Sequence, residues 1–211
     1  MIAYFFNNWS EILTLTVEHL ELVLASFLVT NLIALPLGLI LSQFSKIRAI
    51  VLLLLSGIYT IPSLAFFVIL LPFLGLGFQT AVVVLSAYSL CLITRNILTG
   101  IAEVDSSIIE AAKGCGFTDF QVLLKYQFVY ALPSIIAGER IAVIAMIGIA
   151  TIASWINAGG LGTMLFEGLN QNNYPEVLVG SLIVSLMAFG ANHGLAYLQK
   201  VALAFTKGKL A

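Results

Sequence analysis

Residues 22–41 read LVLASFLVTNLIALPLGLIL, twenty consecutive positions without an acidic or basic side chain. A helix needs about 20 apolar residues to cross roughly 30 Å of hydrocarbon, so this stretch predicts a membrane span. Four more apolar runs occupy 49–74, 78–97, 135–157 and 177–198, with Arg95 near the end of the second of these and Glu139-Arg140 in the first turns of the third. The composition agrees: of 211 residues, 61% are hydrophobic and 9% charged, with a mean hydropathy of +1.09, whereas a soluble domain carries about 25% charged residues. The chain is read as an all-α polytopic membrane protein with five transmembrane helices. The run at 49–74 holds Pro62 and Pro72 and is expected to be one kinked span, because proline removes a backbone donor and bends a helix.

The basic residues orient these spans, since short cytoplasmic loops collect Lys and Arg. Lys46 and Arg48 follow the first run, Arg95, Lys113 and Lys125 fall at or after the end of the third, Arg140 lies in the first turns of the fourth, and Lys200, Lys207 and Lys209 follow the fifth. The segment before the first run, the link 75–77 and the stretch 158–176 contain none. This alternation places the N-terminus outside and the C-terminus in the cytoplasm. A net charge of −1 without a basic patch or an acidic tail excludes nucleic acid as a partner. Cys91 lies in an apolar run and Cys115 in a polar one, so neither a disulfide nor a metal set is expected.

Ahead of the first run, Ile2, Phe5, Phe6, Trp9, Ile12, Leu13 and Thr16 recur at helical spacing, opposite Asn7, Asn8, Glu11 and Glu18. Residues 1–19 are expected to form an amphipathic helix in the outer interface. The transmembrane domain then covers 20–200 and a short cytoplasmic tail 201–211. MIAYFFNNWSE lacks the basic stretch and small-residue cleavage site of a secretory leader, so no processing is expected.

The interval 100–133 is polar and cytoplasmic on this reading. Two capping boxes, Ser107 with Glu110 and Thr118 with Gln121, predict two helices there. Ala111 and Ala112 add little bulk beside Glu110. Gly114 and Gly116 end the first helix, because glycine tolerates the left-handed conformation of a sharp stop. A short helix of small residues at a membrane surface has the shape of a plug for a groove in another protein.

These residues also resemble a known family. Glu110-Ala111-Ala112, Gly116 and the later Leu132-Pro133 resemble the EAA loop of permease subunits of binding-protein-dependent ABC importers. Thr60-Ile61-Pro62-Ser63-Leu64-Ala65, Arg95-Asn96, Thr99-Gly100-Ile101, Ala150-Thr151-Ile152-Ala153 and Ala158-Gly159-Gly160-Leu161-Gly162 resemble the osmoprotectant branch, which imports glycine betaine, carnitine, choline or proline. The chain departs from the pattern at Tyr126, Phe128-Val129 and Asn157. The resemblance implies a bacterial plasma-membrane permease that binds no cofactor itself. Its partners would be a pair of cytoplasmic ATP-binding subunits, an extracytoplasmic solute-binding protein and a second permease subunit, paralogous or identical. Glu110, Ala111, Ala112, Gly114 and Gly116 would couple to the ATPase, with methionine or another small polar solute as the alternative cargo.

The remaining motifs carry two readings each. Thr60, Pro62 and Ser63 line a pathway or patch a proline kink with hydroxyls. Gly159, Gly160 and Gly162 form an outer gate or a flexible loop; they lack the lysine of a phosphate-binding loop. Asn31, Asn192 and His193 are read as interhelical hydrogen-bonding groups and Gly190 and Gly194 as a close-packing pair. Glu139 and Arg140 belong near the cytoplasmic interface, where Arg140 can snorkel. An intramembrane hydrolase built on Ser181 and His193 is excluded on distance, because one straight helix sets residues twelve apart about 18 Å from each other along its axis. A channel or ion-coupled transporter needs a filter or buried ion-coupling groups, and no acidic residue lies in the interior of an assigned span.

Overall fold

The computed structural model describes residues 2–208. All regular elements among them are helical: α1 (Ile2–Asn7), α2 (Trp9–Gln43), α3 (Ser45–Thr60), α4 (Ser63–Leu74), α5 (Phe78–Ala102), α6 (Ser106–Gly114), α7 (Asp119–Val122), α8 (Phe128–Ala153), α9 (Gly162–Asn170) and α10 (Tyr174–Thr206). Four rods, α2, α5, α7 through α8, and α10, are long and apolar enough to cross a membrane, and α3 with α4 supplies the fifth candidate as a bent pair.

That pair corrects one expectation. The expected single kinked helix over 49–74 is instead two helices, Ser45–Thr60 and Ser63–Leu74, meeting at 100°. Pro62 has no N–H to continue the ladder, and a residue before proline is driven out of the helical region; Ile61 accordingly sits at φ −67°, ψ 129°. Pro72 stays inside α4, as Pro36 does in α2 and Pro133 in α8.

The N-terminal region is also organised differently. The helix expected over 1–19 does not end there: α2 starts at Trp9 and continues to Gln43. No glycine or proline interrupts residues 9–35, and Ile12 and His19 are buried against other helices. The second helix of the polar interval is likewise no separate unit, since α7 passes through a π-helical turn, Leu123–Gln127, directly into α8. Short α9 lies within the loop after α8, where no element was predicted.

The core forms around α5, whose apolar window is 61% buried, against 17% for α10. One cluster joins Leu22, Phe67, Val84, Met146, Ala150 and Ile156; a second joins Ala34, Ile93, Ile97, Leu123, Ala131 and Ile135 nearer α6; a third seats Ile12 on Leu161, Met164 and Val179. Glycine brings α5 and α8 together. A Cβ on Gly138 would lie 2.4 Å from Asn96 Cβ, and one on Gly100 2.7 Å from Ser134 Cβ. Gly190 and Gly194, expected to pack closely, have open space where a Cβ would stand.

Gly138→Ala is expected to destabilise by about 1–3 kcal/mol through overpacking, while Gly148→Ala, with nothing near its Cβ, leaves stability unchanged or raises it. Thermal unfolding of the detergent-purified protein distinguishes the two.

Candidate coupling helix and gate

At one end of the bundle α6 packs one face on the start of the α7–α8 rod and leaves the other exposed. Asp105 is its N-cap, the carboxylate accepting from Ser107 N–H at 2.9 Å. This replaces the expected Ser107–Glu110 box: the helix begins one residue before Ser107, so Ser107 lies inside the first turn and Glu110 is left exposed with no capping bond. The backbone N–H of Ser107 holds the Asp105 carboxyl below the usual carboxylate range. The cap's contribution is therefore complete above an ordinary aspartate's pKa and fades only as pH falls through the lowered value.

The other end of α6 closes in a Schellman motif. Gly116 adopts φ +86°, its N–H reaches Lys113 O at 2.9 Å, and Phe117 N–H reaches Ala112 O at 3.2 Å. Gly114 is an ordinary helical residue with free space around it. The Thr118–Gln121 box forms as the sequence predicts. Phe117 then packs edge-on against Tyr126, centroids 5.3 Å apart, with Lys125 Nζ 5.4 Å over the Phe117 ring. Lys113 pairs with Asp119 at 2.8 Å, an exposed bridge worth little in stability. Glu110 and Ala111 face outward while Ala112 is buried toward the bundle. Tyr126, one of the departures from the EAA pattern, thus anchors the turn behind the knob.

The break between α3 and α4 lies farther along the bundle, beside the cluster of Phe67 and Val84. Thr60 and Pro62 are exposed and Ser63 half-buried. Thr60 Oγ1 donates to Gly57 O at 2.7 Å. The carbonyl of Ile61, turned out of the helix ladder by the extended conformation at the break, accepts from the Tyr88 hydroxyl. Tyr88 satisfies in the interior what the helix ladder cannot.

At the opposite end of α8 the glycine loop is held firmly rather than loosely. Asn157, Gly159 and Gly160 have φ of +60°, +77° and +84°. Glu18 accepts the Gly160 N–H at 2.9 Å, buried His19 packs on Gly160 with Nε2 3.2 Å from Ile147 O, and Gly77 N–H donates to Ile156 O at 2.8 Å. Gly162 opens α9, where a Cβ would stand 2.0 Å from Thr151 O. Asn157 meets the left-handed requirement that glycine would also meet.

The structure therefore gathers the expected residues into three places. Glu110, Ala111, Ala112, Gly114 and Gly116 share one helix and its cap; Thr60, Pro62 and Ser63 mark the break; Gly159, Gly160 and Gly162 lie beyond it, separated from α6 by the roughly 39 Å length of α8. No local pattern marks the roles of Glu18, His19 and Tyr88 in holding these two irregular segments, because their partners are distant along the chain. Of Asn31, Asn192 and His193, Asn192 alone bridges helices, its Oδ1 accepting from Arg140 Nε at 2.5 Å; Arg140 is thus tied to α10. Asn31 and His193 bond carbonyls of their own helices.

Residues 34–202 match the family of binding-protein-dependent transport system inner membrane components. The chain belongs to this permease family. Its relatives include the carnitine transport permease protein OpuCB of Listeria monocytogenes, 33% identical over 94% of this chain and 91% of that one. Another is the glycine betaine/carnitine/choline transport system permease protein OpuCB of Bacillus subtilis, 34% identical over 95% and 92%. Among solved structures the permease superposes on a chain of the inward-facing MetNI methionine ABC transporter with a TM-score of 0.84, covering 90% of this chain and 95% of that one at 20% identity. This permease is a multi-pass inner-membrane component and not itself an enzyme.

Gly116→Ala is expected to cost about 1–2 kcal/mol of local stability, since a Cβ disfavours the left-handed conformation, whereas Gly114→Ala tightens the helix. Amide exchange at residues 112–117 reads the contrast. Glu18→Ala removes the acceptor of Gly160 N–H and is expected to destabilise by about 1–3 kcal/mol, read as a lower unfolding temperature and faster proteolysis at 157–162.

Proposed function

We propose that the permease carries quaternary-ammonium osmoprotectants, namely glycine betaine, carnitine or choline, through the membrane under ATP drive, with α6 as the helix that receives motion from the ATPase. The observation that carries this reading is the construction of α6. It is capped by a side chain at one end and by a Schellman turn at the other, and Glu110 and Ala111 point away from the bundle. Such a short rigid knob transmits force by contact rather than by its own stability. The solutes named for the two relatives support the cargo.

The α6 end is cytoplasmic in this proposal. Lys113 and Lys125 lie there, and the stretch 158–176 at the other end of α8 has neither Lys nor Arg. The N-terminus is then outside and the C-terminus inside. Residues 9–19 begin the first long rod, 20–200 forms the transmembrane domain with its coupling loop at 100–133, and 201–211 is the tail. Two ATP-binding subunits grip the α6 helices of two permeases, this one and an identical or paralogous mate, while a solute-binding protein docks at the glycine-loop end. The unclaimed flank of α10, with Gly190 and Gly194 open, supports a neighbour. Closure of the ATPases on ATP drives α6 and turns the pathway outward; hydrolysis returns it. Thr60, Pro62 and Ser63 line that pathway, and Gly159, Gly160 and Gly162 form its outer gate.

Proteoliposomes holding the permease, its ATPase and its binding protein should accumulate labelled glycine betaine, carnitine or choline only with ATP on the ATPase side. Methionine should not be taken up. Gly116→Asp should abolish uptake and loosen the ATPase while membrane insertion stays normal. Uptake without the ATPase, or a preference for methionine, defeats the proposal.

A further inference from the structure

Two rungs join α3 to α5. Arg95 Nη2 donates to Ser56 Oγ at 2.6 Å, and one turn along α3 Tyr59 stacks edge to face with Tyr88, centroids 5.8 Å apart. Phe66 of α4 adds a third ring 5.7 Å from Tyr88. Ser56, Tyr59 and Thr60 stand at i, i+3 and i+4 and so share a face of α3, as Tyr88 and Arg95, seven apart, share one of α5. Tyr59 is 43% exposed, Thr60 and Arg95 are exposed, and no carboxylate among the described residues pairs with Arg95. A charged side chain in a membrane rod faces protein or water rather than lipid tails, so this surface borders a polar space.

Only about 4.5 Å of helix rise separates Ser56, where the guanidinium is tethered, from Tyr59. The two recognition chemistries are therefore neighbours. A guanidinium fork matches a carboxylate, and an open aromatic face attracts a quaternary ammonium. We infer that Arg95 and Tyr59, the latter backed by Tyr88 and Phe66, form a specificity strip for zwitterions: Arg95 takes the carboxylate and Tyr59 the methylated ammonium. The inference rests on the osmoprotectant reading above and refines it. Glycine betaine and carnitine carry both groups. Choline has the ammonium and a hydroxyl, so it engages only the aromatic half.

The test uses the assembled complex in proteoliposomes and compares maximal uptake rates for glycine betaine and choline at saturating solute, because solute capture at low concentration belongs to the binding protein. Arg95→Gln should lower the betaine-to-choline rate ratio about tenfold, with ATP hydrolysis stimulated by loaded binding protein retained. Tyr59→Leu should slow both solutes about fivefold and Tyr59→Phe should restore them. Ser56→Ala removes the tether alone and should leave the ratio unchanged. The strip is refuted if Arg95→Gln slows both solutes equally, changes neither or dissociates the complex, all with the cargo assignment intact. A wild-type complex that imports none of the quaternary-ammonium solutes overturns that assignment and the strip together.

Discussion

Hydrocarbon offers no hydrogen-bond partner to a stray peptide group, and this constraint governs the architecture. Long uninterrupted helices satisfy it within themselves, which is why α2, α5, α8 and α10 make up most of the protein. Where the chain leaves helix inside the bundle, an outside group intervenes. The Tyr88 hydroxyl takes the Ile61 carbonyl at the α3–α4 break, and Glu18 takes the Gly160 N–H in the glycine loop. The irregular backbone most suited to a moving part is thus the backbone most dependent on single distant side chains.

Between these points α5 and α8 supply a stiff frame. Their glycines allow Asn96 against Gly138 and Ser134 against Gly100, so the helices meet at backbone distance with little side chain between them. Close-packed interiors transmit displacement rather than absorb it. The Phe117–Tyr126 contact joins the cap of α6 to the continuous rod that ends in α8, the route that the proposed coupling requires.

Much of this was legible in the residues. Long apolar runs with few or no charges announce spans because little else tolerates such composition, and the Thr118–Gln121 box and the Gly116 stop are local chemistry that needs no tertiary knowledge. The failures share one physical cause. Pro62, Pro72, Pro36 and Pro133 look alike in sequence, yet only Pro62 divides a helix, and there Tyr88 supplies a donor from another element. Ser107–Glu110 matches a capping pattern, but Asp105, two residues earlier, caps the helix instead. Residues 1–19 have an amphipathic pattern that fits an interfacial helix equally well; that His19 is buried beneath Gly160 depends on a partner more than a hundred positions away.

The π turn at Leu123–Gln127 has a geometric consequence of its own. The N–H of Phe128 bonds to Leu123 O, five residues back instead of four, so the rod accommodates one extra residue, equivalent to about 100° of angular phase. Side chains on its two segments are thereby keyed at different angles around a common axis. The face that the rod presents beside α6 and the face that it presents at the glycine loop are thus offset in compass bearing, so one shaft can offer differently directed surfaces at its two ends.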